Sequence, residues 1–231
     1  MLFRSNNDTK AVETLMERLS SNPAMEGSCY LPLNASIVAH LYLSNGSLPS
    51  TIYGIFSSLV QHCLSRYLHE RQGVSQTQAS FESFDELPDE LHSSFKQLCK
   101  LAFTGARDNK VTFSNSDIEA IGSSDELCKL GLLQAVPSIV SHGSSFYHHF
   151  LHLSIQEMLV AVHISRMPAS EQISTFDSMF NDARFSAVLQ FYAAITKLRT
   201  SRPLLSLVPR FLRPVPASML GKLFEKALML L

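Results

Sequence analysis

The feature that most constrains this 231-residue chain is a change of hydrophobic period between Leu87 and Leu151. Leu87–Phe103, LPDELHSSFKQLCKLAF, places Leu91, Phe95, Leu98 and Ala102 on one helical face. Pro88 suits the first turn of that helix, and Asp89 and Glu90 complement the positive end of its dipole. A turn follows at Gly105–Asn109, and Val111-Thr112-Phe113 reads as a short strand. Ser116–Ile121 and Asp125–Leu130 read as short helices, the second stopped by Gly131 in a left-handed conformation. Leu132–Val136 and Ser145–Leu151 then run apolar or alternate around Ser-His-Gly-Ser-Ser, the pattern of a β-hairpin.

Helix, strand, helix, helix, hairpin is the order of a winged-helix domain, here 84–165. The flanks are helical in pattern. Thr9–Ser20 carries Val12, Leu15, Met16 and Leu19 on one face, and Asn22-Pro23 ends it. Pro32 opens a helix running to about Leu43, and Asn45-Gly46 stops it. Ser50–Glu70 carries a buried stripe of Ile52, Ile55, Phe56, Leu59, Cys63 and Leu64. Gln72–Ser83 is rich in Gln, Ser and Thr and reads as an exposed loop between subdomains. Beyond the winged helix, Ser170–Phe180, Ala183–Leu198 and Ala217–Leu230 are helical, with Pro203, Pro209, Pro214 and Pro216 breaking the chain between the last two. The expected fold class is therefore mainly α: a helical bundle, a winged-helix domain with a small β-hairpin, then a second helical domain. The expected domains are 1–71, 84–165 and 168–231.

Composition excludes several classes. The chain is 45% hydrophobic and 17% charged, a globular balance rather than a disordered one. Its net charge is −1, which gives no global attraction to nucleic acid or to an anionic membrane. No run of about 18 apolar residues is present, so no transmembrane helix is expected. Met1–Lys10 has no apolar core, so no signal peptide is expected. Cys29, Cys63, Cys99 and Cys128 are scattered without a C-x-x-C pair. They read as reduced structural thiols, which favours the cytoplasm.

Motifs for catalysis are missing from these residues. There is no G-x-x-x-x-G-K-[ST], no G-x-S-x-G, no H-E-x-x-H, and no apolar strand ending in paired acids. The chain is expected not to be an enzyme. His148, His149 and His152 lie close in sequence, but no nearby carboxylate or cysteine completes a tetrahedral metal set, so no metal is expected. On a strand, His148 and His152 would share one face. The bland reading is one exposed histidine, one at a rim and one held by a specific partner.

His152 stands apart from its neighbours. It precedes Ser154, an apt N-cap for an amphipathic helix Ile155–Ile164, and Glu157 three residues on would complete a capping box. A histidine just outside a helix N-terminus can donate to a phosphate, although packing beside the cap is the commoner role. Pro32 can present a flat apolar ring to an aromatic base, although such prolines usually only start helices. The winged helix also invites a DNA-binding reading. Its candidate recognition helix, Ser123–Leu130, holds two acids and one lysine, and that face would repel phosphate. The stretch Lys197–Arg202, with Arg210 and Arg213, reads as a solvated face.

Two segments together resemble one family. CYLPLNASIVAHLYL resembles the C-x-x-P-L helical segment of NACHT-type STAND NTPases, the NOD-like receptors and their invertebrate relatives. FLHLSIQEMLVAVHIS resembles the F-x-H-x-[ST]-x-Q-E-[FM]-[LF]-A-A pattern late in the winged helix of the same proteins, with Val160 in place of the first alanine. The resemblance covers roughly residues 1–200. It implies that 1–71 corresponds to helical domain 1, 84–165 to the winged helix, and 168–231 to the start of helical domain 2. It also implies that Pro32 packs on adenine and that His152 reaches the β-phosphate of ADP.

The function expected from the resemblance is the regulatory, autoinhibitory part of an innate-immune signalling switch that senses nucleotide state. Without a P-loop in these residues, ADP or ATP is expected only together with an upstream NACHT nucleotide-binding domain, and none for the isolated chain. The alternative is a stand-alone protein-interaction module with no nucleotide binding. Expected partners are that upstream domain or a related protein, with a tendency to self-associate through an apolar helical face. No nucleic acid and no membrane are expected.

Overall fold

A computed structural model describes residues 6–72, 83–137, 146–179 and 182–198. The expected Gln72–Ser83 loop (beyond its two end residues), the turn of the hairpin, the helix Ala217–Leu230 and the proline-rich stretch before it lie outside those residues. The described chain is mainly helical with one small three-stranded antiparallel sheet. Its contacts divide it into two compact units, with the division falling between Leu59 and Val60.

The first unit contains α1 (Asn6–Ser20), α2 (Pro23–Ser28), α3 (Pro32–Asn45) and the opening turns of α4 (Ile52–Gln72). Leu15 and Leu19 of α1, Met25 of α2, and Ile37, Val38, Leu41 and Tyr42 of α3 are buried. Met16, expected on the buried face of α1, is 55% exposed. It sits at the edge of the stripe, where a flexible thioether costs little in water. Asn22 does more than end α1. Its side chain accepts the Met25 N–H as the N-cap of α2, and its amide donates to the Ser50 carbonyl at 2.9 Å. Pro32 starts α3 at its first turn, and Gly46 ends it at φ 67°.

The second unit begins with the rest of α4 and continues through α5 (Asp89–Arg107), β1 (Phe113–Ser114), α6 (Asn115–Glu119), α7 (Ser124–Lys129), β2 (Leu133–Pro137) and β3 (Phe146–Phe150). This is the winged-helix arrangement. β3 is central, pairing antiparallel with β1 on one side and β2 on the other. Phe113 and Ala135 both face His148 across the ladders, and Leu133 faces Phe150. Ser114 caps α6 through a reciprocal box with Asp117, whose carboxyl the Lys110 and Ser114 hydrogen bonds hold at about 2. Gly131 follows α7 at φ 77°, as its position past the last periodic residue predicts.

Three further elements close this unit: α8 (Leu153–Ser165), α9 (Ala169–Met179) and α10 (Ser186–Leu198), with a 3-10 turn at Ala183–Phe185 before α10. α8 packs against both α5 and α10. Ile155, Gln156, Met158, Leu159, Val160, Ala161, Val162 and Ile164 are all buried along it. The amphipathic reading of α8 is thus corrected. A helix covered on opposite sides by two others needs apolar residues nearly all round.

Candidate functional site

The start of α8 gathers the residues singled out by the sequence. β3 ends at Phe150, and the chain turns through Leu151 before the helix begins at Leu153. His152 therefore does not share a strand face with His148. It is itself the N-cap: its backbone is extended, and its Nδ1 accepts the Ser154 N–H at 3.1 Å. Ser154, expected as the cap, lies inside the first turn. One turn later, the Glu157 carboxyl meets the Ser154 hydroxyl in a side-chain hydrogen bond. The capping box expected from these two residues is replaced by a histidine cap plus an i, i+3 side-chain pair.

The cap bond has a chemical consequence. The Nδ1 that accepts the Ser154 N–H is committed to the helix end, which leaves Nε2 as the other polar atom of the ring. His152 is part-buried, so the ring is anchored by the helix end rather than swinging in solvent.

The other two histidines of the cluster are placed differently. His148 is 2% exposed in the central strand, and its Nδ1 has no hydrogen-bond partner. Burial pushes its pKa down, opposed in part by a hydrogen bond with the Phe113 backbone. The Nδ1 of His149 bonds the Phe150 carbonyl oxygen at 2.9 Å. None of the three is exposed. Among the described residues no group of three His, Cys, Asp or Glu side chains could hold a metal ion.

Pro32 belongs to the first unit and His152 to the second. The Pro32 ring is exposed at the first turn of α3, next to Leu31 at 55% exposure and Tyr30 at 84%. Its carbonyl accepts the Ser36 hydroxyl at 2.9 Å. These three consecutive apolar or aromatic residues are the most exposed hydrophobic feature among the described residues of that unit.

On the candidate recognition helix, Lys129 is ion-paired with Asp125 one turn earlier. α7 thus directs no uncompensated cation outward, and Asp125 and Glu126 occupy its first turn. Among the described residues no helix is long and apolar enough to cross a membrane. Burial raises the pKa of every cysteine, Cys99 to about 12, so none is poised as a thiolate.

In the sequence Glu157 stands out only as a capping residue, three positions after Ser154. Burial pushes its carboxyl up to about 6, against the lowering effect of the Ser154 hydroxyl. Nothing local foreshadows this, because the apolar cover comes from elements distant in the chain. No protein-family model matches the chain, and no curated protein matches it.

Proposed function

We propose that this chain is the regulatory portion of a NACHT-type signalling switch, in which His152 reads the phosphate of a bound nucleotide. The observation that carries the reading is the capping bond from the Ser154 N–H to His152 Nδ1, which anchors the ring at the N-terminus of α8. The winged-helix order of the second unit and the Phe150–Ser165 motif support it.

In this reading an upstream NACHT domain supplies the nucleotide, and the ADP phosphate supplies an anionic acceptor. An imidazole N–H donating to it fits that chemistry, as the exposed ring of Pro32 fits a flat base. His152 holds a hydrogen bond to a charged group, worth roughly 1.5–3 kcal/mol. That biases a two-state equilibrium by about ten- to a hundredfold, enough to hold a resting state. Releasing it frees the winged helix and the helices after it to move as a body. The chain itself catalyses nothing, works in the cytoplasm in innate immunity, and contacts neither nucleic acid nor membrane.

The test uses residues 1–198 grafted into a full-length NACHT switch. His152→Asp keeps a side-chain oxygen for the Ser154 N–H but presents negative charge to the phosphate. Basal signalling rises with His152→Asp and with His152→Ala. Basal signalling at the parent level in both variants rules the phosphate contact out.

A second reading, a protein-interaction module without nucleotide, is favoured by the exposed Tyr30-Leu31-Pro32 knuckle. Calorimetry separates the two: the first reading requires ADP to bind a NACHT nucleotide-binding domain more tightly when the chain is added, and the second leaves the affinity of that domain for ADP unchanged.

A further inference from the structure

A pocket of about 350 Å³ opens in the second unit where the end of α5, the start of α8 and the 3-10 turn before α10 meet. Small-molecule sites span roughly 300–1,000 Å³, so this one suits a compact ligand. Its apolar walls include Val111, Leu153, Val160, Phe185 and Val188.

Three charged residues also line it: Lys110, Arg184 and Glu157. Lys110 Nζ already donates to Asp117 at 2.9 Å, and Arg184 Nε to Asp182 at 2.9 Å. Both of those carboxylates lie outside the lining, so each cation is neutralised from behind. Glu157 differs. Its carboxyl is bonded to the Ser154 hydroxyl, and among the described residues no Lys, Arg or His is ion-paired with it. A partly desolvated carboxylate beside apolar walls lacks a counter-charge.

We propose that this pocket binds a small organic amine, whose cation pairs with Glu157 and whose apolar body lies against the exposed Val111 and Leu153. A neutral ligand of the same shape leaves the carboxylate buried and unpaired. An anion meets that carboxylate and finds both cations already engaged. This site is independent of the nucleotide reading, because it needs neither His152 nor an upstream domain.

Titration calorimetry of the whole chain with phenethylamine, benzyl alcohol and phenylacetate at about pH 7.5 tests it, where the carboxyl is ionised. Phenethylamine binds, and the other two bind at least about tenfold more weakly. Glu157→Gln weakens the amine about tenfold or more while keeping an acceptor for Ser154. Ala183→Trp, at an exposed position of the lining, blocks the pocket with Glu157 intact and abolishes binding. The wild-type affinity falls as pH drops through about 6, where Glu157 takes up its proton. His163 also lies on α8 and His152 caps it, and Lys110 and Arg184 of the lining are paired with Asp117 and Asp182. All of these remain in Glu157→Gln, so a pH dependence that survives this substitution belongs to them and overturns the assignment. Equal amine affinity in wild type and Glu157→Gln, tighter binding of phenylacetate, or no amine binding at millimolar concentration also overturns it.

Discussion

The ring of Phe113 occupies the space that any side chain on Gly105 would need. A Cβ at Gly105 would stand 2.5 Å from Cζ and 2.6 Å from Cε1 of Phe113, and 3.0 Å from Nε2 of Gln156. Gly105 is buried in the last turns of α5, and Phe113 is the first residue of β1. The glycine is there for close approach. It lets the first strand dock against α5, with Phe113 edge-on to Phe150 at 5.8 Å.

Gly105→Ala therefore destabilises the second unit. Alanine gains up to about 1 kcal/mol of helix propensity. Against this, Phe113 is 1% exposed and its ring has nowhere to go. Overpacking a filled core costs about 1–3 kcal/mol, so the net change is a loss. Urea unfolding followed by circular dichroism should show a lower midpoint with an unchanged slope.

The histidine cap separates stability from signalling. Removing a side-chain N-cap costs about 0.5–2 kcal/mol. His152→Ala should lose stability in this range, and His152→Asp should recover most of it, because aspartate also accepts the Ser154 N–H. A melting series that ranks Asp with Ala contradicts the capping role. Together with the grafted-switch assay, it tells a histidine that only holds the helix from one that also reads phosphate.

Glu157 makes stability depend on pH in an unusual direction for a carboxylate. Its folded pKa of about 6 lies above the reference value of 4.5. Between these values the native state binds more protons than the unfolded chain, so stability from this group falls as pH rises through that window. The cost is full above about 6 and absent below 4.5. Glu157→Gln should melt higher than wild type at neutral pH, with the gap closing in acid. His148, pushed the other way by burial, is present in both proteins and cancels in the difference. A gap that is constant from acid to neutral pH contradicts the assignment.

Much of the second unit was legible from local signals. Pro88, Asp89 and Glu90 mark the start of α5, although Pro88 serves as its N-cap rather than inside the first turn. Leu91, Phe95, Leu98 and Ala102 are all buried, as their spacing predicts. Gly131 and Gly46 stop their helices because glycine alone adopts positive φ without a steric penalty. The candidate site was legible only in part. The residues around His152 stand out, but Ser154 is the better cap by propensity. Choosing between them depended on where β3 releases the chain, and that is set by its pairing with β2 up to Leu133↔Phe150.

The order of helices and strands, and the stops between them, follow from the sequence alone, because propensity, capping and period act over a few residues. Three things needed the tertiary structure: that α8 is buried on opposite sides, that His152 rather than Ser154 caps it, and that Glu157 is desolvated in a pocket. The burial of α8 and of Glu157 depends on α5, α10 or the 3-10 turn arriving from elsewhere in the chain, and the choice of cap depends on the pairing of β3 with β2. Burial and the charge states it favours are properties of neighbours in space, and no local pattern in Phe150–Ser165 encodes which neighbours those are.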